Sequence, residues 1–242
     1  PPRAGQGAKV RHTVGRRTML EWNLWRALLD GLWVTVQVTV LAAGLGTILS
    51  ILSGLAGLSS FRAIRWANQV YVDIFRGTSA IVQLFWIFFA LPLLGVTISP
   101  LMAGFITLGL NMGSYGSEVV RGAVRAVPRG QTEAAIALNL TPLDRMRHII
   151  FPQAAVAMLP PYGNLLIELL KASALVSLIT LSDLTFEAQK LRVNGTASTP
   201  VLFSLILVMY FMLALAITGL VRLAETRLSR GLEVGRGARR SS

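Results

Sequence analysis

Long apolar runs separated by short polar stretches set the plan of this chain. Crossing a bilayer core takes about 20 apolar residues. Five runs meet that length: about Gly31 to Leu58, Ala67 to Leu94, Leu101 to Val120, Ile149 to Leu170 and Thr199 to Val221. The pattern predicts an all-α membrane protein of about five transmembrane helices. The first run is uncharged, with Thr35, Gln37 and Thr39 weakly polar near one end. Gly44, Gly46, Gly54 and Gly57 are positions where another helix can approach closely. Arg62 and Arg65 read as the loop to the second run, which Gly77-Thr78-Ser79 then breaks. Asp73 and Arg76 lie three apart, on one helical face. They are either an internal ion pair at the membrane interface or residues beside a polar path along a broken helix.

The third run ends in Arg121 and Arg125, and Glu118 is placed to pair with Arg121 at i+3. In the fourth, Pro160-Pro161 predicts a kink. Asn164, Glu168 and Lys171 follow on one face. Charge inside a bilayer is costly and marks function by default, although a buried Glu168–Lys171 pair locking helices together is the alternative. Leu175 to Leu181 is too short to span, so it enters and returns or caps the outer mouth. Asp183, Glu187, Lys190 and Arg192 read as a solvated polar loop.

Between runs three and four, residues 128–152 predict two short helices with a sharp bend. Pro128 can open the first, and Gln131 to Leu138 are mostly good helix formers. Asn139 is suited to a left-handed stop. Thr141 caps the second helix, with Pro142 and Asp144 in its first turn. Arg121, Arg125, Arg129, Arg145 and Arg147 flank the loop.

Composition sharpens this picture. Charged residues make up 14% and hydrophobic residues 53%, against about a quarter charged in a soluble domain. The formal charge is +12, but the basic residues collect at the ends of apolar runs, as the positive-inside rule expects. They are not interleaved with stacking aromatics, which argues against nucleic acid. Residues 1–30 read as a disordered basic tail and lead-in, 31–227 as the membrane domain and 228–242 as a basic tail. Five spans put the termini on opposite sides. The basic 128–152 loop and the arginine-rich C-terminus share the cytoplasmic side, which leaves Arg3, Lys9, Arg11, Arg16 and Arg17 outside. Translation from Met19 would remove most of that conflict, leaving chiefly Arg26. There is no cysteine and no Gly-x-x-x-x-Gly-Lys-Ser/Thr loop for ATP phosphates, and His12 and His148 are isolated. The expectation is a non-enzyme that holds no cofactor or metal itself and takes its energy from a partner.

Several stretches carry a family resemblance. Glu133-Ala134-Ala135, a helix stop, and Ile150-Phe151-Pro152-Gln153-Ala154 resemble the EAA loop of permease subunits of binding-protein-dependent ABC importers. Phe75-Arg76-Gly77-Thr78, Val82-Gln83-Leu84-Phe85, Tyr115 to Gly122, Val127 to Gln131, and Lys171 to Ser177 are similar to the polar amino acid branch of that family. The likeness runs from about Trp33 to Arg227. Asn139 departs from the family's usual glycine. Ser182 to Gln189 is faintly similar to ectoine-type permeases. The resemblance implies the type I importer permease fold, a second permease chain, two copies of an ATPase subunit that binds the ATP, an extracytoplasmic solute-binding protein, and a bacterial inner membrane. It implies Gly130, Glu133, Ala134, Ala135, Asn139 and Pro142 as the ATPase-coupling element. It also implies a polar amino acid or related zwitterion as substrate, on a path with Asp73, Arg76, Glu118, Asn164, Glu168 and Lys171. Glu168 would meet the ammonium, and Arg76 or Lys171 the carboxylate. Asp73, Glu118, Glu168 and Lys171 also make the case for an ion-gradient-driven transporter or channel, the alternative reading.

Overall fold

The computed structural model describes residues 6–229, with side chains from Trp22 onward. The described chain is helical, with no strand. Helix α1 (Gln6–Ala56) leads into α2 (Arg62–Gly77), α3 (Ala80–Phe85), α4 (Pro100–Ala126), α5 (Arg129–Ala137) and α6 (Pro142–Arg145). Then come α7 (Phe151–Ser173), α8 (Leu184–Val193) and α9 (Thr199–Ser229). Trp22–Ala56, Pro142–Ile179 and Thr199–Ser229 are each long and apolar enough to span, and α2 with Ala80–Leu94 makes a fourth leg bent by 102°. The remaining leg is α4, whose 27 residues give about 40 Å of helix.

Small residues explain why α4 is the least apolar leg and yet sits in the middle of the bundle. It packs along α1, and the two backbones approach closely. A Cβ on Gly113 would lie 2.6 Å from Leu49 Cβ, and one on Gly116 2.7 Å from Ser50 Cβ. Without a hydrophobic force between helices in lipid, such approach is what holds them together. Of the glycines expected to serve contacts on α1, Gly46 meets Met112 and Gly54 meets Val120, whereas Gly44 has no neighbour. The central core joins Val38, Ala42, Leu84, Leu108, Met112, Leu169, Val176 and Ile179.

Four expectations are corrected. First, the stretch 6–30, read as an irregular tail, is helical and continuous with the first span; its Ala, Lys, Arg, Met and Leu residues are good helix formers. Residues 1–5 and 230–242 lie outside the described residues. Second, Arg62 and Arg65 stand in the first turns of α2, not in a loop. Their spacing with Gln69 and Arg76 is helical, and the Arg65 guanidinium donates to the carbonyls of Ser59 and Ser60 at 2.6 and 3.0 Å. Third, Asp183 and Glu187 are buried, at 0% and 8% exposure. Asp183 caps α8, accepting from the Phe186 and Thr185 amides, and Glu187 pairs with Lys190. A charged run close in sequence is thus folded onto apolar positions of α1 and α9 through Leu24, Leu28, Leu184, Ala188, Leu191 and Leu202. Fourth, Ala174–Ile179 is a 3-10 turn at the end of α7 with Val176 and Ile179 fully buried, so it is core rather than a cap over the mouth. Helix α7 itself runs through Pro160 and Pro161 without interruption.

Candidate functional site

The loop after α4 folds as its residues dictate. Pro128 precedes the first turn of α5 in an extended conformation. Asn139 takes φ 55°, and the Leu140 amide donates to the Ala135 carbonyl at 3.1 Å while the Asn139 amide donates to Ile136 at 2.9 Å. That pair of bonds is a Schellman stop. Two residues on, Thr141 Oγ1 accepts from the Asp144 amide at 3.2 Å, with Pro142 in the first turn of α6. Gln153 of α7 donates to Gln131 of α5 at 3.3 Å, bracing the loop against the helix that follows. At its root, Val120, Ala123, Ala154 and Met158 form a buried cluster with Val127 and Phe151 around it.

Exposure within the loop sorts the expected coupling residues. Gly130, Glu133, Ala134, Asn139 and Pro142 face outward. Ala135 does not: it is 2% exposed, because its face of α5 turns onto the chain, and it is a packing residue. Sequence reasoning missed the apolar tips Ile136, Leu138 and Leu143, at 55%, 72% and 75% exposure. They had a signal, since these large apolar residues stand on or at the end of helices of nine and four residues, too short to bury all of them.

The break between α2 and α3 leaves carbonyls that need partners. Gln83, 9% exposed, donates to the Phe75 carbonyl at 3.0 Å and to Thr78 Oγ1 at 2.8 Å. Asn111 of α4 donates to the same Phe75 carbonyl at 3.0 Å. On the reading of a broken helix beside a polar path, freed backbone groups would face that path; the Phe75 carbonyl does not, since two side-chain amides cover it.

Two hollows lie along one face of α4. A cavity of about 230 Å³ is lined by Leu108, Asn111, Met112 and Tyr115 of α4 and by Leu165, Glu168, Leu169 and Ala172 of α7. Toward the loop end of α4, a cleft of about 630 Å³ is lined by Arg62, Arg65, Trp66, Gln69 and Arg76 of α2 and by Glu118 and Arg121 of α4, with Gly57 and Asn68. Between them the Arg76 guanidinium lies over the Tyr115 ring, 5.2 Å from its centroid.

The expected path residues therefore divide. Arg76, Glu118 and Glu168 line these hollows. Asp73, Asn164 and Lys171 are exposed and line neither. Glu118 pairs with Arg121, as its spacing predicted. The Asp73–Arg76 and Glu168–Lys171 pairs do not form: Asp73 accepts from Gln69 at 2.7 Å, and Arg76 takes the Tyr115 ring. The four groups that made the case for an ion-driven relay do not converge. Asn111 and Tyr115 line the cavity without having been singled out, because neither amide nor phenol breaks an apolar pattern strongly.

The chain matches the family model described as binding-protein-dependent transport system inner membrane component over residues 46–230. It is 43% identical over 218 residues to the Sinorhizobium fredii protein named "Probable amino-acid ABC transporter permease protein y4tF", spanning 87% of this chain and 91% of that one. It is 33% identical to the L-cystine transport system permease protein TcyB of Bacillus subtilis, over 88% of this chain and 93% of the relative. To the glutamine transport system permease protein GlnP of Escherichia coli it is 31% identical, over 86% and 97%. Among solved structures it resembles an amino acid ABC transporter crystallised with histidines, with TM-score 0.78, 33% identity and coverage of 87% and 97%. It shares the fold of the inward-facing methionine transporter MetNI, with TM-score 0.71, 20% identity and coverage of 85% and 98%.

Proposed function

The chain belongs to the binding-protein-dependent transport system inner membrane component family, as an amino acid ABC transporter permease, and on that premise we propose how its parts work. It crosses a bacterial cytoplasmic membrane five times, with α5, α6 and the end of α9 on the cytoplasmic side. It pairs with a second permease chain, and two ATPase subunits bind the loops at Glu133, Ala134 and the apolar tips Ile136, Leu138 and Leu143. A solute-binding protein delivers a polar amino acid or related zwitterion to the other face.

The observation that carries this reading is that the exposed, rigidly capped loop springs from the same two helices that line the cavity. Bracing through Gln131 and Gln153 makes the loop and the base of α7 one body. Closure of the ATPases on bound ATP would move the loop, and with it α4 and α7, changing which side the cavity faces. In that cavity Glu168 supplies a negative charge for a substrate ammonium, with Asn111 and Tyr115 as hydrogen-bonding neighbours, while Arg76, stacked on Tyr115 from the adjoining cleft, takes the carboxylate.

Co-purification from detergent tests the assembly. An ATPase subunit should accompany the unmodified chain and be lost with Glu133→Arg; its absence from both would sink the coupling assignment. Glu168→Gln should abolish most ATP-driven uptake while the ATPase still co-purifies. Unchanged uptake would remove Glu168 from the path.

A further inference from the structure

The cleft beyond Tyr115 carries more charge than a wall of the bundle needs. Arg62, Arg65, Arg76 and Arg121 face it against one carboxylate, Glu118, which Arg121 already holds. Among the described residues Arg76 has no carboxylate partner. Its guanidinium rests instead over the Tyr115 ring. Tyr115 lines the cavity and Arg76 lines the cleft, so this stacked pair is the partition between the two hollows. On α4, Asn111, Tyr115, Glu118 and Arg121 follow at intervals of four, three and three, so one helical face runs down both. Arg76 also stands next to the break at Gly77, where the chain turns by 102°, and a side chain at a helix end beside a bend has room to swing.

We propose that the cleft is the coupling-loop half of the translocation path and that Arg76 stacked on Tyr115 is the gate between the halves. A guanidinium over a ring is held by a moderate cation–π attraction. A carboxylate offers it a stronger, charge-assisted contact. A substrate carboxylate entering from the cavity therefore draws Arg76 off the ring, opens the partition and passes into a vestibule whose arginines favour it. Tyr115 is a positioning residue here: its aromatic face, not its hydroxyl, holds the gate shut. This rests on the transport reading above.

The cysteine-free chain suits single-thiol labelling in the complete complex, in inside-out vesicles. The probe is an impermeant anionic methanethiosulfonate applied at the cytoplasmic face. Gln69→Cys in the cleft should react quickly in every background. Ala172→Cys in the cavity should react slowly in the otherwise unmodified chain and with Tyr115→Phe. With Tyr115→Leu it should react about fivefold faster, the order expected when a cation–π contact is lost. If Tyr115→Leu fails to retain its ATPase partner, Arg76→Gln serves instead, with the same increase expected. Equal labelling of Ala172→Cys in all backgrounds would overturn the gate. ATP-driven uptake of a zwitterionic amino acid by the unmodified complex is measured alongside. Uptake with invariant labelling counts against the gate alone, and no uptake counts against the transport reading beneath it.

Discussion

The two ends of the bundle use similar parts to opposite effect. At each end a short helix joins two legs and is capped by a side chain: Thr141 on α6, Asp183 on α8. At the α8 end the connection is sealed into its own chain. Gly31 of α1 lets the Asp183–Leu184 backbone lie against it, the Leu184 amide donates to Thr35 Oγ1 at 3.1 Å, and Asp183 and Leu184 are fully buried. At the other end the connection is held firmly from below and left open above, with Ile136, Leu138 and Leu143 standing out. Buried carboxylates and exposed leucines are each unfavourable alone. A fold that carries both, at opposite ends, has one end closed by its own chain and one whose apolar tips the chain itself leaves uncovered, where the proposed ATPase contact would lie.

Four substitutions break or sharpen that contrast. Gly31→Val should do most damage, because a Cβ there would lie 2.9 Å from Asp183 O and from Leu184 Cα, both backbone. A loss of about 3 kcal/mol is expected, at the upper end for overpacking, read as a lowered melting temperature in detergent. A wild-type melt would mean that the α8 end is not sealed. Next comes pH. Burial pushes the Asp183 carboxyl up to about 6, so the folded state binds the extra proton between about pH 4 and 6. The stability tied to this group is greatest below about pH 4 and declines as pH rises through 6. Asp183→Asn keeps a capping oxygen without the charge. It should raise stability at pH 7.5 by on the order of 2 kcal/mol, with the gain vanishing toward pH 4; a pH-independent difference would refute the titration. Thr141→Ala should cost about 1 kcal/mol, the usual worth of such a cap, seen as faster amide exchange over residues 141–145. Smallest in stability is Leu143→Gln, expected within about 0.5 kcal/mol of the parent. Its effect should fall on ATPase co-purification, and full retention of the partner would show that the exposed leucine is not the covered surface.

Much of this could be read from the amino acids, where local chemistry decides the outcome. Asn139 as a left-handed stop, Thr141-Pro142 as a cap and first turn, the break at Gly77-Thr78-Ser79 and the Glu118–Arg121 pair are all short-range consequences of residue type. What could not be read depends on distant partners. Asp183 and Glu187 look solvated until α1 and α9 close over them, and Ala135 looks like its neighbours until α5 is laid on the chain. Arg62 and Arg65 look like a loop because charge masked an amphipathic helix. Gln83 and Asn111 were silent because their task, covering the Phe75 carbonyl, exists only once α4 lies beside the broken helix. Arg76 and Glu168, which line the two hollows, stood out by their charge in an apolar run. Tyr115 was not, since a single ring gains meaning only from the guanidinium resting on it.

Asn139 has a further consequence, in the entropy of the loop. Asparagine reaches the left-handed conformation that glycine takes freely, but samples far fewer alternatives outside it. A loop ended by asparagine thus has less freedom to lose when it is gripped, and more of each contact it makes survives as affinity. The bend at φ 55° is held by the loop's own chain, so under the proposed coupling a force applied at its tip would move α4 and α7 rather than straighten the hinge.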